Sequence, residues 1–63
     1  MQLLRAITTD GDLEYFNTER ILSLQLSKDG ERYKILMGAG LYWWVWADSM
    51  KLVEINEIIG GEN

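Results

Sequence analysis

The chain has 63 residues, a formal net charge of −4, and neither cysteine nor histidine. That length holds one domain, residues 1–63. The missing residue types exclude disulfide and thiolate chemistry and remove the commonest general base and metal ligand, while the acidic balance argues against binding a phosphate backbone. A domain near this size buries only about 60% of its unfolded surface, so of the usual supports for mini-proteins only oligomerisation remains.

Residues 2–9 read as a strand, and Asp10-Gly11 as a two-residue type I′ hairpin turn. The return strand is Leu13–Phe16. That turn sets Thr9 opposite Asp12 and places Leu4, Ala6, Leu13 and Tyr15 on the core face. Leu3, Arg5, Ile7, Glu14 and Phe16 share the other face, where Arg5 and Glu14 stand within diagonal reach. Asn17-Thr18-Glu19-Arg20 interrupts the strands, with Asn17 or Thr18 placed to cap a single helical turn.

Ile21–Ser27 is the next strand, with Leu22, Leu24 and Leu26 at period two. Asp29-Gly30 is a second turn of the same kind. It pairs Leu26 with Tyr33, Leu24 with Ile35 and Leu22 with Met37, so all six apolar residues share one face. Ser23, Gln25, Ser27, Arg32 and Lys34 fall on the other. Pattern and turn chemistry agree, as in a well-specified element.

Gly38-Ala39-Gly40 turns the chain into Leu41–Ala47, which holds all three tryptophans. The strand is uncharged and apolar on both faces, so both want cover. Loop length decides which face is which, because a one-residue slip flips every side chain. A two-residue turn is expected, since short hairpin loops are commonest. It sends Tyr42, Trp44 and Trp46 inward and leaves Trp43 and Val45 outside, beside Arg32 and Lys34. A three-residue turn does the reverse.

Asp48 or Ser49 then caps a helix over Met50–Ile59, whose apolar stripe is 52, 55, 58 and 59. Gly60-Gly61 ends it. A rival reading makes Lys51–Ile55 a strand. The expected fold is mainly β: five short antiparallel strands in meander order, forming a bent sheet or small SH3-like barrel, with one short C-terminal helix.

The order of these signals resembles the FlbD-like, or swarming-motility, family of small flagellar proteins of bacteria. Asp10-Gly11 precedes Glu14-Tyr15-Phe16-Asn17, then come Ile21 and Leu24, Ile35 and Met37, a glycine turn at Gly40, an apolar strand, and Asp48-Ser49 opening a helix with Ile55 and Ile59. The likeness covers nearly the whole chain. It departs where the hairpin of residues 22–37 runs longer and where tryptophan replaces the family's Val and Lys. It implies a cytoplasmic, non-enzymatic, interacting protein.

Candidate chemistry is sparse. Asp10, Asp12 and Glu14 alternate but lack the spacing of a calcium loop. Gly38-Ala39-Gly40 lacks the helix and Lys-Ser/Thr of a phosphate cradle. Ser23, Ser27 and Ser49 have no histidine to activate them. No enzyme activity, cofactor or metal is expected. No apolar run approaches the roughly 20 residues of a membrane helix, the N-terminus shows no signal peptide, and a cytoplasmic location is expected.

The functional expectation is a small interaction protein. It self-associates as a dimer or higher homo-oligomer through Leu36, Leu41, Trp43 and Val45, and binds or inhibits another protein. Neither nucleic acid nor membrane is an expected partner. The alternative is an oligomeric module that sequesters a nucleotide or metabolite, of the kind phage and mobile elements encode. Tyr42, Trp44, Trp46, Lys34 and Arg32 are its candidate stacking residues.

Overall fold

The computed structural model describes residues 1–56. Among them are six strands: β1 (Gln2–Ile7), β2 (Leu13–Asn17), β3 (Ser23–Leu26), β4 (Arg32–Leu36), β5 (Tyr42–Trp46) and β6 (Lys51–Glu54). They form two antiparallel three-stranded sheets, ordered β2-β1-β6 and β3-β4-β5. The fold is thus mainly β, but it is not a five-stranded meander.

The sheets are joined at several points, one of them the Ala47–Ser49 turn from β5 to β6. Between β2 and β3, Thr18–Arg20 makes a 3₁₀ turn, capped by the Asn17 side chain, which accepts from the Glu19 N–H at 3.0 Å. The turn carries the chain from one sheet into the other, so β2 and β3 do not pair. Beyond β1, Thr8 bridges to Val45 of β5, and the Thr9 N–H donates to the Trp44 carbonyl at 3.0 Å.

Three expectations are corrected. The first is the Asp10-Gly11 hairpin. Ile7 pairs with Leu13, Ala6 with Glu14 and Leu4 with Phe16, one residue away from the two-residue register. The Thr8 N–H donates to the Asp12 carbonyl at 2.8 Å, leaving a three-residue loop. Gly11 takes φ +94° while Asp10 stays out of the left-handed region, the geometry of a type I turn followed by a bulge glycine. Every side chain of β2 therefore changes face. Phe16 is buried, Leu13 and Tyr15 are exposed, and Glu14, paired with Ala6, lies on the opposite face from Arg5, so the expected diagonal pair does not form.

The second is the C-terminal helix. Lys51–Glu54 is a strand, pairing with β1 from Gln2↔Glu54 to Arg5↔Lys51. The free edge of β1 offers Leu52 and Val53 backbone partners, and that long-range pairing overrides a helical stripe. Ser49 is not an N-cap. It sits in a 3₁₀ turn at Ala47–Ser49, where its hydroxyl donates to the Trp46 carbonyl at 2.6 Å and accepts from the Ile7 N–H at 2.9 Å. Of the expected helix, Ile55 and Asn56 do take helical conformation, and residues 57–59 lie outside the described residues.

The third is the turn at Gly38–Gly40. The Met37 N–H donates to the Leu41 carbonyl at 2.8 Å, so three residues turn and not two. Ala39 adopts φ 63°, ψ 24°, a left-handed conformation in which its Cβ crowds the following carbonyl oxygen. Ala39→Gly is expected to raise stability by about 0.5–1 kcal/mol once the extra freedom of the unfolded glycine is deducted. Urea unfolding monitored by tryptophan fluorescence checks this.

The β3–β4 hairpin keeps its expected register, with Leu24↔Ile35 and Leu26↔Tyr33, although its turn is not type I′. Only Gly30 has positive φ, and Asp29 accepts from the Ser27 hydroxyl and from the Glu31 N–H. These two bonds hold the Asp29 carboxyl below its ordinary value near 3.8, with Arg32 assisting. A lowered folded pKa means stability that is present above the unfolded value and is lost as pH falls through the folded one. Ser27→Ala is expected to return the Asp29 pKa toward 3.8, read by NMR titration of its side-chain carbonyl.

The core is small. Leu4, Ala6, Phe16, Ile35 and Val45 are buried, with Ile21, Tyr33, Met37, Trp43 and Met50 packed around them. Thr8 is also buried, and its Oγ1 accepts from the Asp12 N–H.

Candidate functional site: an aromatic and cationic sheet face

The three-residue turn fixes the parity of β5. The strand pairs with β4 as Leu36↔Tyr42, Ile35↔Trp43, Lys34↔Trp44, Tyr33↔Val45 and Arg32↔Trp46. Directly opposed residues of an antiparallel pair share a face. Val45 and Trp43 therefore point inward with Ile35 and Tyr33. Tyr42, Trp44 and Trp46 point outward with Leu36, Lys34 and Arg32.

This corrects the expected interface of Leu36, Leu41, Trp43 and Val45, which is not one surface. Val45 is fully buried. Trp43 packs edge-to-face on Phe16, with ring centroids 5.5 Å apart at 66°. Leu36 is on the opposite face, and Leu41 is exposed at the hairpin tip.

The structure does bring Tyr42, Trp44, Trp46, Lys34 and Arg32 together on one exposed face. Tyr42 is 53% exposed, Trp44 37% and Trp46 38%. Alternate residues of a strand stand about 6.6–6.8 Å apart, and the two cations fill the intervals diagonally. The Arg32 guanidinium carbon lies 5.5 Å from the Trp44 ring centroid, and Lys34 Nζ lies 4.4 Å from that of Tyr42. Such contacts contribute about 0.5–1 kcal/mol at exposed positions. Here they also limit the rotamers of the rings.

Arg32 has a second partner, Asp29, at 3.6 Å. Arg32 thus shares its charge with an exposed carboxylate, while Lys34, at the centre of the face, has no ion pair among the described residues. Ser23 and Gln25 of β3 extend the same face with uncharged polar groups. At its other end, Gly30, Glu31, Trp46, Ala47 and Asp48 line an open depression of about 710 Å³. Sequence reading missed this depression because the Ala47 N–H to Glu31 carbonyl bond that closes it, at 2.9 Å, joins residues far apart in the chain.

Chemically, the arrangement offers aromatic stacking surface with cationic charge beside it. It holds no nucleophile with an activating base, and among the described residues no three carboxylates converge to hold a metal ion. None of the described helical segments is long and apolar enough to cross a membrane. No family model, no curated protein and no solved structure matches this chain.

Proposed function

We propose that this chain is a non-enzymatic binding module that takes a protein partner on the outer face of β4 and β5. The observation that carries the reading is the row of Tyr42, Trp44 and Trp46, each more than a third exposed on one strand, with Arg32 and Lys34 lying against two of the rings. Trp, Tyr and Arg are the residues that dominate interface hot spots. Rings already held by their neighbours lose little entropy when a partner covers them. The chain's acidic charge and the Asp29–Arg32 pair disfavour a phosphate backbone.

We read the two sheets as a small SH3-like barrel: β6 returns to pair with β1 after a 3₁₀ turn, so β3-β4-β5 has a second sheet beside it. A photoreactive benzoylphenylalanine in place of Trp44 is expected to crosslink to the partner, while the same group in place of Tyr15, on the outer face of the other sheet, is not. Crosslinking from position 15 alone would overturn the proposal.

A second reading rests on Lys34 and Arg32 standing between the rings, where a planar anionic ligand such as a nucleotide finds both a stacking surface and a cation. Concentration-dependent quenching of tryptophan fluorescence by a nucleotide at micromolar levels, lost in Trp44→Ala, is its expected signature.

A further inference from the structure

We infer that β3 is a self-pairing edge, through which two copies of this chain join antiparallel into one continuous six-stranded sheet. Four strands flank the two sheets. β2 carries Glu14, and β6 carries Lys51 and Glu54. The outer edge of β5 is engaged by Thr8 and Thr9. Among the described residues, only β3, Ser23-Leu24-Gln25-Leu26, has neither a charge nor a partner on its outer edge. Monomeric sheet proteins blunt such edges with Lys, Pro or a bulge, and β3 has no charge or proline within it. Leu22, Leu24 and Leu26 are 67%, 46% and 55% exposed although they belong to the face that carries the core.

The backbone is also available. Ser27 bonds to Arg32 through its N–H, and bonded pairs alternate along an antiparallel ladder. Gln25 and Ser23 therefore point their amides toward β4, and Leu24 and Leu26 point theirs outward. A second β3 fits this edge in one register above others, with Leu24 opposite its own copy and exchanging backbone bonds with it. The Leu22 N–H is held by the Leu36 carbonyl at 2.8 Å, so Leu22 meets Leu26 of the copy through its side chain alone. That register sets every exposed leucine against a leucine. The occupant is a second copy because the strand is self-complementary: antiparallel to itself it sets leucine on leucine and opposes no charge within Ser23–Leu26, which offsets the repulsion of two acidic chains.

The two-fold axis is normal to the sheet, so both aromatic faces point the same way, with the two β5 strands about 24 Å apart at five inter-strand spacings. A partner presenting two epitopes would then bind with avidity. A four-residue seam covers less than the roughly 800 Å² per partner of a standard interface, so association is expected to be weak and concentration-dependent.

Sedimentation equilibrium tests this. The wild-type mass is expected to climb from 7.3 kDa toward twice that with concentration. Leu24→Lys, which sets two lysines face to face, is expected to weaken association more than tenfold, and Trp44→Ala to leave it unchanged. Amide exchange on the wild type is a second readout: Leu24 and Leu26 amides should become protected as concentration rises. A constant monomer mass up to about 1 mM, or exchange at these amides independent of concentration, would overturn the inference. So would loss of the dimer in Trp44→Ala, which would place the contact on the aromatic face.

Discussion

Phe16→Ala is expected to cost about 3–5 kcal/mol of unfolding free energy, and its neighbour Tyr15→Ala less than about 1 kcal/mol. Phe16 is 5% exposed and Tyr15 43%. Phe16 fills the space between Leu4, its partner across the sheet, and Trp43, which stands edge-on to its ring. Removing it leaves a cavity and also forfeits the ring-on-ring contact, itself about 0.5–1.5 kcal/mol. A chain of 63 residues has roughly 3–9 kcal/mol of stability in all, so Phe16→Ala should be largely unfolded at 25 °C or close to it. Urea unfolding followed by far-ultraviolet circular dichroism separates the two variants. Equal costs at positions 15 and 16, or a larger cost at 15, would mean that the hairpin turns in two residues and that β2 shows its other face.

That contrast marks how far the sequence could be read. The first five strands were legible from their composition, and the β3–β4 register was legible because Leu22, Leu24, Leu26, Tyr33, Ile35 and Met37 are apolar at one parity while the other parity is polar. The hairpins at either side lack this asymmetry. Tyr15 and Phe16 are both aromatic, and β5 has aromatic rings at both parities, so a slip of one residue leaves the pattern equally plausible. Nor does turn chemistry decide. Asp10-Gly11 suits a two-residue turn with two positive φ angles, and equally a three-residue loop whose last residue is the bulge glycine. Ala39 is an unfavourable residue for the left-handed position it occupies, and no local signal announces it. β6 was obscured for another reason. Its partner is β1, at the opposite end of the chain, and its Leu52, with Ile55 just beyond the strand, fits a helical stripe as well as a strand.

The site inherits the same history. Its five residues could be named from the sequence, but their exposure could not, because it depends on whether two or three residues turn at Gly38–Gly40. The third residue of that loop is what turns Trp44 outward and Val45 inward. A one-residue deletion within Gly38–Gly40 would have to bury three aromatic rings and expose Val45, with the core unable to hold the larger volume.

Trp44→Ala is expected to weaken partner binding by about 2–4 kcal/mol, roughly 30- to 1,000-fold in Kd, while the chain stays folded. Trp44 is the central ring of the three, opposite Lys34 and under Arg32, and central residues shielded by a surrounding ring of contacts dominate interface energies. Its 37% exposure leaves the core residues untouched by truncation. Trp46→Ala and Tyr42→Ala, at the ends of the row, should each cost less. Arg32→Ala acts through Trp44 by freeing the ring it lies on, so a double-mutant cycle between the two should show a coupling of about 0.5–1 kcal/mol. Trp43→Ala provides the contrast: it faces inward onto Phe16, so its loss should lower stability and leave the affinity of the remaining folded chain close to wild type. Isothermal titration on the partner identified by crosslinking measures all of these. Should Trp43→Ala abolish binding in a folded chain while Trp44→Ala leaves it intact, the partner would be reading the inner face of β5, and the parity set by the Gly38–Gly40 loop would have to be the other one.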